Sequence, residues 1–159
     1  MKTKRVLTGQ REFLVPIDFS AASIQALRLA VGLAEKENAH LILLNVVEEV
    51  PSFRNLDAAA QQREWHQQHA ARLLEIAGRE CGERLKVQTL VRDGNPIHEI
   101  ERAAAEQHAD LIVVGQHRRH GLRRFFHGHT ANGVTSRAKC PVVVLNEVPE
   151  QRPATGQTD

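Results

Sequence analysis

Four runs rich in Val, Ile and Leu, which mostly do not alternate with polar residues and are separated by segments of helix length, restrict this chain more than any other feature. They are FLVPID (13–18), HLILLNVV (40–47), DLIVVG (110–115) and CPVVVL (140–145). A strand with one wet face alternates apolar and polar residues. A run that does not alternate is buried on both faces, as strands inside a parallel sheet are. A fifth run, LKVQTLV (85–91), does alternate, with Leu85, Val87 and Thr89 on one face. It fits a less buried strand near a sheet edge.

The intervening segments carry helical spacing. In the first, Ser23, Leu27, Ala30, Val31 and Ala34 share a face, and Ser20 is placed to cap its start. The second spans about Ala58 to Cys81, with Trp65, His69, Leu73 and Ile76 on one stripe, and Trp65 and Cys81 read as packing residues. The third opens at GNPIHEI, after a turn at Asp93 and Gly94. There Asn95 suits the N-cap and Pro96 the first helical position. The fourth starts near Gly128–Thr130 and ends before Cys140. The order β-α-β-α-β-α-β-α-β predicts an α/β fold, a parallel sheet with helices on both faces. Open sheets of this kind bind ligands beyond the carboxyl ends of their strands, where the winding reverses. That rule points to Asp18–Ser20, Val46–Glu48 and Gly115–His117.

Length sets the remaining bounds. With 159 residues the chain suits one domain, here 1–146. The stretch 147–159, EVPEQRPATGQTD, lacks periodicity and reads as a disordered tail. No window reaches the length of a membrane span, and the basic start MKTKRVLTGQ precedes no apolar stretch of signal-peptide length. Two cysteines make no disulfide framework, and Cys140 is expected to be a reduced, buried strand residue. A cytoplasmic protein is the expectation. The net charge of +2 is unremarkable, but it is unevenly placed. Between Asp110 and Glu147 there is no acid, while Arg118, Arg119, Arg123, Arg124, Arg137 and Lys139 all fall there.

That basic stretch, VVGQHRRHGLRRFFHGHTANGV (113–134), leads from a buried strand into a helix. A helix start offers unpaired N–H donors and a favourable dipole to an anion. The same stretch is rich in histidine, yet His117, His120, His127 and His129 match no common zinc spacing, and no cysteine or carboxylate accompanies them. A metal site is not expected, beyond adventitious nickel or zinc and magnesium arriving with a nucleotide. Phe125 and Phe126 are adjacent rather than spaced as a stacking platform, so nucleic acid is not the expected partner. No H-E-x-x-H, G-x-S-x-G or P-loop pattern occurs, which leaves at most a weak ATPase.

In combination, VPIDFSAASIQALRLAVGLA, LLNVVEE, GNPIHEIERAAAEQHADLIVVG and GHTANGVTSRAKCPVVVL resemble the universal stress protein family over about residues 10–146. The resemblance implies a Rossmann-like, adenine nucleotide alpha hydrolase-like fold: one open five-stranded parallel sheet in the order 3-2-1-4-5. It also implies a cytoplasmic stress-response or regulatory protein, dimeric through the last strand, here Val142–Leu145. Nucleotide-binding members carry a G-x2-G-x9-G-S/T loop, which falls here on Gly115, Arg118, Gly128 and His129. Two of those anchors match and two do not. The resemblance places the base beside Pro16, Ile17, Asp18, Val46 and Val114, all of which suit that role, and Thr130 could replace the hydroxyl lost at His129.

Glycine at such anchors permits positive φ and bare access to backbone amides. Arg118 adds bulk where that access is needed, and it also brings a guanidinium that binds phosphate well. Two function classes therefore stay open. One is a regulatory protein binding ATP, AMP or another adenine nucleotide at an altered loop. The other is a nucleotide-independent dimeric interaction protein whose basic loop meets an acidic partner.

Overall fold

A computed structural model describes residues 9–48, 58–117 and 129–148. Strands β1 (Glu12–Pro16), β2 (His40–Val47), β3 (Val87–Asp93), β4 (Leu111–Gln116) and β5 (Val142–Asn146) alternate with helices α1 (Ala21–Glu37), α2 (Ala58–Cys81), α3 (Pro96–Glu106) and α4 (His129–Arg137). The strands form one sheet in the order β3-β2-β1-β4-β5. All four pairings are parallel. Fold class and strand order agree with expectation.

Local chemistry accounts for the element boundaries. Ser20 caps α1, its Oγ accepting from Ser23 N at 3.1 Å, and Asn38 closes the helix in the left-handed conformation that its short side chain tolerates. Asn95 caps α3 in the same way, and Pro96 occupies a first-turn position where no N–H is needed. Between β3 and α3 the chain turns at Gly94, whose φ of 137° is a conformation side chains oppose.

Alternation along the strands divides the core. Phe13, Val15, Leu41, Leu43 and Val113 face α1 and α2, where Ala26, Leu27, Ala30, Leu73 and Ile76 meet them. Leu14, Ile42, Leu44 and Ile112 face α3 and α4, meeting Ile100, Ala103 and Val134. β3 is an edge strand and is only half-buried, as its alternation implied. On α1, Val31 is half-buried and marks the border of the buried stripe.

One expectation is corrected. Cys140 is not a buried strand residue: it is half-buried and precedes Pro141, with β5 beginning at Val142. Pro141 has no N–H to donate, so it meets β4 as an acceptor, from Ile112 N at 3.0 Å, and β5 itself begins one residue later. Cys81 is buried, and burial pushes its thiol up to about 11. Among the described residues, no helix is long and apolar enough to cross a membrane.

Candidate functional site

Because β1 and β4 are neighbours, the connections leaving them diverge, and a crevice opens beyond their carboxyl ends. Its edge at β1 is built by local hydrogen bonds. Ile17 N donates to Leu44 O at 2.8 Å, which carries strand pairing one residue past β1. Asp18 Oδ1 then accepts from Ser20 N at 3.0 Å and from the Ser20 hydroxyl. These bonds tie the carboxylate to the start of α1 and direct it over the strand ends. Phe19 between them takes a φ of 65°, a left-handed conformation that is uncommon for an aromatic residue.

The second Asp18 oxygen faces β4. His117 Nε2 lies 3.6 Å from Asp18 Oδ2, and its Nδ1 lies 3.2 Å from Glu147 Oε2. Glu147 is held in place because its N–H donates to Gln116 O at 2.9 Å, extending the β4–β5 ladder. Val148 N and O both bond the Gln25 side chain on α1, each at 2.9 Å. The first two residues of the expected tail are therefore anchored, Glu147 to the end of β4 and Val148 to α1.

The cavity behind this edge has an apolar floor of Leu44, Val46, Val114 and Ile100. Pro96 from α3 and Thr130 and Ala131 from the first turn of α4 close its far side. Of the residues singled out in the sequence, Pro16, Ile17, Asp18, Val46, Val114, Gly115 and Thr130 line this one cavity. Arg118 and Gly128 lie outside the described residues, and His129 opens α4 with its side chain outside them. The sequence reading missed Leu44, Ile100, Pro96 and Ala131 as lining residues. His117, expected at the crevice from its place at the end of β4, does line the cavity, whereas Glu147 was assigned to the tail. The apolar lining residues look like ordinary core in sequence, and only the gap between α3 and the sheet distinguishes them.

Gly115 has a different reason from the one its motif suggests. Its φ is not positive. A Cβ there would lie 2.3 Å from Ala22 O and 2.8 Å from Ser23 N, so the missing side chain lets β4 pass against the first turn of α1. Gly133 serves a similar end on α4, where a Cβ would meet Ile97 Cδ1 at 2.5 Å.

On the other face of the sheet, the one buried amide of the apolar β2 run is fully used. Asn45 Nδ2 donates to Ile17 O at 2.7 Å, and its Oδ1 lies 2.8 Å from His69 Nδ1 on α2. Burial, with Arg72 and His66 nearby, holds His69 below the ordinary histidine range. Among the described residues no group of three His, Cys, Asp or Glu side chains is arranged to hold a metal ion.

Comparison with known proteins agrees with this architecture. The universal stress protein family matches residues 10–146. The chain is 31% identical over 144 residues to the universal stress protein YxiE of Bacillus subtilis, covering 84% of this chain and 97% of that one. Among solved structures, a universal stress protein family protein of Arabidopsis thaliana with AMP bound is similar at a TM-score of 0.61 and 18% identity, covering 91% of this chain and 97% of that chain. A universal stress protein in complex with cAMP is similar at 0.58 and 20%, covering 85% and 96%. With a family match that spans β1 through β5 and a sheet in the family's strand order, the chain belongs to the universal stress protein family.

Proposed function

We propose that this stress-response family member binds an adenine nucleotide, AMP or ATP, in the cavity at the ends of β1 and β4. The observation that carries the reading is the chemistry at its two sides. Asp18 offers a carboxylate whose orientation is already set by Ser20, an acceptor for the amino group of adenine. Across the apolar floor, Thr130 and Ala131 bring the start of α4 into the wall, where free N–H groups and the helix dipole favour phosphate. Leu44, Val46, Ile100 and Val114 supply flat apolar surface for the base between them. The relatives solved with AMP and with cAMP support the same ligand class.

In this reading Arg118 takes phosphate in place of the family's second loop glycine, and Thr130 supplies the hydroxyl absent at His129. The role is that of a cytoplasmic regulatory binder in a single domain, 1–146, with ATP turnover at most slow and magnesium arriving with the nucleotide. Mass spectrometry of the protein as purified tests for co-purifying adenine nucleotide. Calorimetric titration with ATP then tests the loop: Arg118→Ala is expected to weaken binding by about 1.5–3 kcal/mol, the range for a hydrogen bond to a charged group. Tighter binding in Arg118→Gly with His129→Ser would mean that Arg118 blocks the site instead. No binding in any of these proteins at millimolar ATP would remove the nucleotide reading.

A second reading has its own observation. β5 pairs on one side only among the described residues, and Val142–Leu145 are half-buried, leaving a β-prone edge. Pairing with a second copy about a two-fold axis would cover it. With Arg118 and His129 departing from the nucleotide-binding pattern, the chain would then be a nucleotide-independent dimer that presents its basic loop to an acidic partner. Light scattering at about twice the 17.8 kDa chain mass is expected in both readings.

A further inference from the structure

Among the described residues Asp18 is the only carboxylate in the cavity wall, and contacts that run through His69, on the opposite face of the sheet, hold both of its chain neighbours. His69 Nδ1 bonds Asn45 Oδ1, and the same Asn45 amide donates to Ile17 O, so the residue before Asp18 is fixed through two hydrogen bonds. The residue after it, Phe19, meets the His69 ring edge-on at 5.3 Å between centroids and lies 4.3 Å beneath the Arg72 guanidinium. Phe19 needs such a hold. Its φ of 65° is a conformation that a bulky side chain keeps only where its surroundings impose it.

The polarity of this chain of contacts is determined by Asn45. Its nitrogen is committed to the Ile17 carbonyl, so its oxygen must accept and His69 Nδ1 must carry the proton. The remaining groups near His69 are Arg72 and His66 on its own helix, and His66 in turn faces Asp93 of β3. A second proton on the ring would put a positive charge near the Arg72 guanidinium, which fits a neutral imidazole acting as a donor.

We infer that His69, through Asn45 and Phe19, is a positioning residue for Asp18: a latch on the far side of the sheet that sets how well the cavity discriminates an amino-bearing purine. The inference rests on the adenine-nucleotide reading for its ligand, but the latch itself is a property of the loop and is measurable without one.

The experiment titrates AMP and IMP, which carries an oxygen in place of the amino group, into wild type, His69→Leu, His69→Asn, Asp18→Ala and the Asp18→Ala/His69→Leu double variant. Amide spectra are recorded for each protein. His69→Leu keeps bulk and loses the donor, and is expected to weaken AMP by roughly threefold to tenfold, the effect of one hydrogen bond. It should also erase the preference for AMP over IMP. His69→Asn places an amide donor where Nδ1 stood and should stay within roughly twofold of wild type, since the bond is restored. The double variant should bind no more weakly than Asp18→Ala alone, because His69 acts only through Asp18.

An unchanged AMP-to-IMP ratio in His69→Leu would overturn the inference, and so would a double variant weakened by the full product of the two effects. If wild type takes up neither nucleotide, the functional reading has failed and the latch is judged from the spectra. Amides of Ile17, Phe19 and Ser20 that shift in His69→Leu and return in His69→Asn sustain it, and unmoved amides overturn it. Should His69→Leu not fold, His69→Gln, whose amide sits at the Nε2 rather than the Nδ1 position, takes its place with the same expected losses.

Discussion

The two faces of the sheet are built from the same strands and do different work. Toward α1 and α2, Phe13, Val15, Leu41, Leu43 and Leu73 close a continuous core, and the polar pair within it, Asn45 and His69, is hydrogen-bonded on both members. Toward α3 and α4 the same alternation supplies Leu14, Ile42 and Leu44, and Ile100, Ala103, Ala104 and Val134 meet them. The carboxyl end of that face is left open as the cavity. There the polar groups, Asp18, His117 and Glu147, remain partly exposed. One face is filled to its end, and the other opens into a cavity at the carboxyl ends of the strands.

The largest expected effect breaks the filled face. Leu43→Ala should cost about 3–4 kcal/mol in denaturant unfolding, because a fully buried leucine leaves a void its neighbours cannot fill. Val46→Ala in the cavity wall should cost only about 1 kcal/mol, since its side chain already borders open space. Equal costs for the two would erase the distinction between the faces.

The glycines sharpen it next. Gly115→Ala should destabilise by about 2 kcal/mol, because the clash is with the backbone of α1 and needs a shift of helix or strand. Gly133→Ala meets the end of a flexible Ile97 side chain and gains helix propensity, so its net effect should lie within about 1 kcal/mol of zero. Thermal melts of the two variants rank them.

Smaller effects come from charge on the α1/α2 side. Arg28 bonds Glu80, whose carboxyl it holds below the usual carboxylate range. Arg28→Ala should therefore cost about 0.5–1 kcal/mol at neutral pH, as exposed ion pairs do. The depressed carboxyl contributes stability above its unfolded pKa, and the contribution is lost as pH falls through the folded value, so the variant and wild type should converge in acid.

His69 gives the opposite kind of group a measurable sign. Its pKa is lowered by burial, then by Arg72 and His66, so the unfolded chain binds the proton more readily than the folded one. Stability should then be fully present above about pH 6.5 and decline as pH falls below it toward the lowered folded value. Urea titrations from pH 7.5 to 5 should show a shallower decline in His69→Asn than in wild type.

Most of the fold was legible because its signals are local. Runs rich in Val, Ile and Leu announced strands buried on both faces, and Ser20, Asn95 and Pro96 marked helix starts from chemistry within one turn. Part of the cavity lining was legible for a related reason: Asp18, Val46 and Gly115 sit at strand ends, which parallel topology brings together, while Pro16, Ile17 and Val114 came from the family resemblance. Ile100 and Leu44 were not legible as cavity residues, because a side chain facing a gap has the same pattern as one facing a core.

From residue order alone came the alternation of strands and helices, the parallel sheet, the caps, and the clustering of Asp18 with Val46 and Gly115 at one edge. These follow from periodicity and local hydrogen bonding, which act over a few residues. Only the tertiary structure decided that Gly115 is needed for the approach of α1, that His117 lies between Asp18 and Glu147, and that His69 reaches Ile17 and Phe19 through the sheet. Each of those depends on which surfaces meet when distant segments pack, and no pattern of nearby residues encodes that distance.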